Sequence, residues 1–134
     1  MRDGVFISYR REDSSGIAGR IADRLRARLG RKSVFFDLDD VPPSHEWREV
    51  LASRVGACNA LVAVIGKRWN PASEKLGERR LDDPNDTLRI EIETALERAI
   101  PIIPVLVDGA TLPKREDLPE SLNRFLNWAI ARHF

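Results

Sequence analysis

Two adjacent arginines follow the first apolar run of the chain, in the stretch VFISYRRED. A guanidinium group presents a rigid fork of N–H donors that suits a pyrophosphate. Arg10 and Arg11 are therefore candidates for binding a phosphorylated ligand. The alternative is that one arginine belongs to an ordinary surface network with Glu12, Asp13 or Asp37, which contributes little stability.

Charge and composition limit the classes of partner. The chain has 134 residues with 22 Lys+Arg and 21 Asp+Glu, a formal net charge of +1. We expect one domain that is not drawn to nucleic acid or to an anionic membrane, so any anion binding must be local. A single cysteine, Cys58, favours a reducing, cytoplasmic setting, and no apolar stretch approaches the length of a membrane span.

Several other catalytic motifs are missing. His45 and His133 have no partnering Ser or Cys motif, and the sequence contains no phosphate-binding GxxxxGK[ST] loop, no GxGxxG and no paired cysteines. A receiver domain would need an aspartate after the third strand to accept phosphate, where this chain has IGK at residues 65–67. We therefore expect no metal site and no phosphoryl transfer.

Apolar runs and capping residues alternate along the chain. Strands are predicted at residues 4–9, 33–36, 60–65 and 100–108, with a last one near residues 127–130. Between them, helices are predicted from Ser14 or Ser15 to Gly30, from Ser44 to about residue 57, from Asn85 or Asp86 onward, and within residues 118–130.

This order implies a flavodoxin-like, doubly wound parallel sheet of five strands, in the order 2-1-3-4-5, flanked by helices. The run ALVAVI is apolar throughout, as expected of a central strand covered on both faces. Pro101 and Pro104 limit pairing of the fourth strand. Ligands of such sheets bind beyond the carboxyl ends of strands one and three, where Arg10 and Arg11 lie.

Four stretches in order resemble a bacterial Toll/interleukin-1 receptor (TIR) domain: VFISYRRED, VFFDLDDVPPSHEW, NALVAVIGKRW and LRIEIETALERAIPIIPVLVDG. The resemblance covers nearly the whole chain. It implies a single TIR domain over residues 1–134. Because members of this family usually carry another helix after the fifth strand, we expect this domain to be excised from the N-terminal part of a longer protein, with that last helix missing.

The resemblance also implies an active-site glutamate on the helix after the third strand, which corresponds to Glu91. The helical step of 100° per residue places Glu91 beside the apolar stripe formed by Leu88, Ile92 and Ala95, facing the border of the cleft. The structural alternative is that the helix dipole alone favours an acid near the helix start, by about 0.3–1 kcal/mol. Ile90, opposite the stripe, is expected to be exposed and available for assembly.

Other positions are candidates either because they lie near the predicted cleft or because the resemblance implies a role for them. Phe36 and Trp69 are candidates to stack on a ring of the ligand, and Trp69 is the better one because it lies in a polar loop, whereas Trp47 is in phase with a core stripe. The loop after the second strand is expected to mediate self-association and to border the cleft, through Asp37, Asp39, Asp40, Val41, Pro42 and Pro43.

Three functions are compatible with these residues. The leading hypothesis is an NAD+ glycohydrolase or cyclase domain of a bacterial immune, anti-phage effector, with NAD+ as substrate rather than cofactor, switched on by self-association and controlled by a sensor domain outside this chain. The alternative is a non-catalytic TIR module that signals by homotypic TIR–TIR interaction. A third reading is a nucleoside-processing enzyme with a glutamate nucleophile.

Overall fold

A computed structural model describes residues 4–36, 47–71, 77 and 79–130. Four parallel strands form its sheet, in the order β2-β1-β3-β4. Their bounds are β1 Val5–Tyr9, β2 Val34–Phe35, β3 Ala60–Ile65 and β4 Ile102–Leu106. The four helices are α1 Arg11–Leu29, α2 Trp47–Gly56, α3 Thr87–Glu97 and α4 Phe125–Ile130.

The parallel α/β architecture and the order of strands one to four confirm the predicted flavodoxin-like fold. The predicted strand near residues 127–130 is wrong, because this segment is part of α4. A short apolar run such as FLNWAI carries no period that separates a buried strand from a buried helix. The sheet therefore has four strands within the described residues.

The core lies on both faces of the sheet, as the unbroken apolar run of β3 predicts. One cluster contains Phe6, Leu61 and Ile65 with α2, α3 and α4 residues, and the other contains Ile7, Val62 and Val64 with α1 residues. Strand β3 pairs with β1 and β4 over its length, which confirms its central position. Pro104 is accommodated because β4 is an edge strand of the described sheet, where a missing N–H donor is tolerated.

Helix α1 starts earlier than predicted. It begins at Arg11, and Ser14 interrupts it with a non-helical backbone (φ −147°, ψ 27°), so the regular helix follows Ser14. Gly30 ends the helix as predicted: its N–H donates to the carbonyl of Arg26, and its φ of +94° is one that other residues rarely adopt. The kink at Ser14 lies beside the carboxyl end of β1.

Asp13 joins this kinked start of α1 to the end of β3. Its carboxylate accepts hydrogen bonds from the N–H groups of Gly66 and Arg68, both at 2.8 Å. A side chain at residue 66 would collide with this carboxylate, so a substitution there would displace Asp13 from the two N–H groups. The two strand ends that border the predicted ligand site are thus fixed to one another.

Helix α3 is buried on more than one side, and the predicted exposure of Ile90 is wrong. The helix packs against α2 as well as against β1, so the face opposite the predicted stripe is also covered. Ile90 is 6% exposed and belongs to the larger core cluster. Cys58 is fully buried as a small core residue, as predicted; burial raises the pKa of its thiol to about 11.

Candidate functional site

A cleft of about 330 Å³ opens at the carboxyl end of β1, beside the start of α3. This is the predicted position for a ligand in a doubly wound sheet. Residues from β1, from the start of α1, from the β3–α3 connection and from α3 line it: Ile7, Tyr9, Arg10, Arg11, Glu12, Arg80, Asp86, Thr87, Leu88 and Glu91.

Asp86 fixes the start of α3 at the edge of this cleft. It is the N-cap residue, as predicted, and its side chain accepts from the N–H of Arg89. Asp86 also forms a forked salt bridge with Arg10, with Nη1–Oδ1 and Nη2–Oδ2 distances of 2.7 and 3.0 Å. One aspartate therefore caps the helix and binds it to the end of β1.

Arg10 is consequently a buried structural cation. It is 5% exposed, and its Nε donates to the carbonyl of Trp69 at 2.8 Å. Its fork edge, which would hold a phosphate, is occupied by Asp86. The expected partners of an arginine here were Glu12, Asp13 and Asp37, and the structure places Asp86 on Arg10 instead.

Glu91 lies in the cleft wall on the second turn of α3 and is 5% exposed. The pKa of its carboxyl is raised to about 8, mainly because burial removes the charged form from water. The Ser8 hydroxyl lowers this pKa, the negative charge of Asp86 raises it, and the positive charge of Arg10 lowers it. Glu91 Oε1 and Ser8 Oγ both lack a partner within hydrogen-bond geometry in the described structure, so the contact between them is loose. Glu91 thus lines the cleft while one of its carboxyl oxygens is buried without a hydrogen-bond partner.

An acid in this state is unusual for a merely structural residue. Buried polar groups are nearly always hydrogen-bonded, and an unpaired one costs about 1–3 kcal/mol. Glu93 and Glu97 on the same helix are less buried, as predicted. The helix dipole alone does not account for Glu91, because a dipole contact at the surface would not require burial.

The aromatic candidates lie elsewhere than expected. Trp69 is 2% exposed and stacks on Phe125 in the core, with centroids 5.7 Å apart, and its backbone N–H closes a tight turn with the carbonyl of Gly66 at the end of β3. It contacts a second cleft, and not the one that contains Glu91. Phe36 stacks on Tyr9 at 4.9 Å, and Tyr9 is the ring that lines the Glu91 cleft.

A model of the TIR domain family matches residues 5–132. The chain belongs to the TIR family. The match includes both walls of the cleft, so the features described above are those of a TIR domain. None of the curated proteins compared with it gives a significant match.

Some site residues of this TIR domain were not found from its sequence. Arg80, Asp86 and Tyr9 line the same cleft as Glu91, and Ser8 acts on the Glu91 carboxyl. The only signal for any of them was the helix-capping pattern at Asp86. Arg11 is exposed and lines the cleft, and its role in substrate binding stays a prediction. The expected association loop, Asp37, Asp39, Asp40, Val41, Pro42 and Pro43, lies outside the described residues, as do His45 and His133.

Two features are absent from the described residues. No helix among them is long and apolar enough to cross a bilayer. No group of three or more His, Cys, Asp or Glu side chains within the described part of the TIR domain is arranged to hold a metal ion.

Proposed function

We propose that this TIR domain cleaves the nicotinamide–ribose bond of NAD+, as a glycohydrolase or cyclase of a bacterial immune effector that is activated by self-association. The TIR family includes enzymes of this kind and acts in general through homotypic TIR–TIR interaction. The observation that carries the proposal is the buried Glu91 carboxyl, with an unpartnered oxygen, in the wall of a cleft at the carboxyl end of β1.

The chemistry requires little more than one well-placed carboxylate. The C–N bond to the pyridinium breaks with its electron pair passing to the ring nitrogen, so neutral nicotinamide leaves without a general acid. The ribose becomes an oxocarbenium ion, to which water, or an atom of the same ligand in a cyclase, then adds with loss of a proton. A carboxylate in a dry cleft stabilises this cation more strongly than it would in water.

The protonation state of Glu91 fits a cationic substrate. With a pKa of about 8, roughly one carboxyl in ten is ionised at pH 7. Ionising the rest costs about 1 kcal/mol at this pH. A pyridinium ring next to Glu91 favours the carboxylate, and so a cationic nicotinamide repays this cost whereas an uncharged ring does not.

Nicotinamide release tests the proposal. The purified domain, concentrated with a crowding agent until it self-associates, is incubated with NAD+ beside Glu91→Gln and a matched control, Glu97→Gln, on the exposed end of the same helix. The proposal requires release by the wild type and by Glu97→Gln but not by Glu91→Gln. Absence of release from self-associated wild-type protein would favour a scaffold that signals only by association.

A further inference from the structure

Two of the arginines that line the cleft, Arg10 and Arg80, differ in how firmly they are held. Arg10 is buried, and Asp86 occupies its fork edge at 2.7 and 3.0 Å. Arg80 has a side chain that is 42% exposed and lies in the turn before α3. The exposed arginine can reorient toward a ligand, and the buried one cannot.

The resting contacts of Arg80 are weak ones. Its Nη1 lies 3.3 Å from Glu12 Oε2, and the Glu12 side chain is 56% exposed. Its Nη2 lies 4.0 Å from Asp86 Oδ1, an oxygen that Arg10 already holds at 2.7 Å. An exposed pair such as Arg80–Glu12 contributes little stability, so an anion that offers a better fork contact can displace Glu12.

The spacing between Asp86 and Glu91 along α3 is of the size of a nucleoside phosphate. Arg80 Nη2 lies 4.0 Å from the N-cap residue Asp86, and Glu91 follows Asp86 by five residues, about 7.5 Å along the helix axis. A ribose with its 5′ carbon spans a gap of this order between the anomeric carbon and the phosphate. The Tyr9 ring also lines the cleft.

We propose that Arg80 is a phosphate-binding side chain of this cleft, and that Glu12 is its counter-ion until the diphosphate of a nucleoside diphosphate displaces it. This inference rests on the proposed function, since it assigns the diphosphate of NAD+ to Arg80, and it removes that role from Arg10. Arg10 instead holds β1 and α3 together so that Arg80 and Glu91 face the same space.

Binding of ADP tests the inference without any bond cleavage. ADP affinity is measured by calorimetry for the wild type, Arg80→Ala and Glu12→Gln, with adenosine as the ligand that lacks phosphate. Arg79→Ala is the matched control, because Arg79 is the preceding residue, is 48% exposed and lines the second cleft. Circular dichroism verifies that each variant is folded.

Arg80→Ala is expected to weaken ADP binding about tenfold or more, as for loss of a hydrogen-bonded charge, and to leave adenosine binding unchanged. Glu12→Gln is expected to tighten ADP binding about two- to fivefold, because the competing carboxylate is gone. Arg79→Ala is expected to have no effect.

The inference is overturned if the wild type does not bind ADP, if Arg80→Ala binds it normally, or if Arg79→Ala weakens it equally. These failures are separable from failure of the proposed function. Nicotinamide release that requires Glu91 but not Arg80 would support the proposed enzymatic function and would exclude phosphate binding by Arg80. Binding of ADP through Arg80 without cleavage of NAD+ would do the reverse.

Discussion

Replacing Glu91 by Gln should stabilise the fold at neutral pH, although it removes the proposed catalytic group. Burial raises the pKa of this carboxyl from 4.5 to about 8. Above pH 4.5 the unfolded chain releases the proton, and the folded chain keeps it until about pH 8. Glu91 therefore does not lower the free energy of unfolding below pH 4.5. As the pH rises from 4.5 to 8, Glu91 lowers the free energy of unfolding by an increasing amount.

The size of the effect follows from the two pKa values. Each pH unit between them lowers the free energy of unfolding by about 1.4 kcal/mol. At pH 7, about 2.5 units above the unfolded value, the wild type has lost about 3 kcal/mol. Gln resembles the protonated acid in shape but does not ionise, so Glu91→Gln should match the wild type near pH 4.5 and exceed it by up to about 3 kcal/mol at pH 7.

Urea unfolding at pH 5, 6, 7 and 8 measures this difference, because all other titrating groups cancel between the two proteins. Glu97→Gln is the control, since an exposed substitution on the same helix should change stability by less than about 0.5 kcal/mol at every pH. A Glu91→Gln difference that stays constant between pH 5 and pH 8 would refute the reasoning about burial and protonation.

Three further outcomes are expected. Asp86→Ala should lower the free energy of unfolding by about 3–5 kcal/mol in urea titrations, because it leaves the Arg10 charge buried without a counter-ion; an equal loss in an Arg10→Met/Asp86→Ala double variant would contradict this. The rate of nicotinamide release should rise with pH through a midpoint near the pKa of Glu91, about 8, and level off above it. Ser8→Ala should move the midpoint of this pH profile upward, because the Ser8 hydroxyl lowers the pKa of Glu91; an unmoved midpoint would exclude this role of Ser8. Trp69→Ala should cost about 3–5 kcal/mol and Trp69→Phe much less, by thermal or urea unfolding, since the ring is core and its N–H has no partner in the described structure; an exposed ligand-binding Trp69 would instead tolerate both.

The sheet could be predicted because its signals are local. The unbroken ALVAVI run identified the central strand β3, and the capping signal at Asp86 identified the start of α3. Local signals were insufficient at FLNWAI, which is too short to show a period. A strand was predicted there, and the segment forms a helix. Ile90 was placed on the wrong side because a period predicts one buried face, and α3 has neighbours on two.

The contents of the site were less predictable than its position. Glu91 was found from the family resemblance and its phase on the helix, and the fold brought it to the end of β1 as expected. Its environment depends on contacts that a local sequence pattern does not predict, because the contacting residues are far apart in sequence. Arg10 and Asp86, for example, are separated by 76 residues. The sequence shows that an arginine lies at a strand end. It does not show whether an acid from another element forms a salt bridge with that arginine.

The most direct test of the central claim is the rate of nicotinamide release from NAD+ at pH 8 by the self-associated domain, compared between the wild type and Glu91→Gln. We predict release by the wild type and a fall of about a hundredfold or more in the variant, as for loss of a preorganised group that stabilises transition-state charge. Equal release by both proteins would show that Glu91 is not the catalytic carboxylate, and no release by either would show that this TIR domain is not an NAD+-cleaving enzyme.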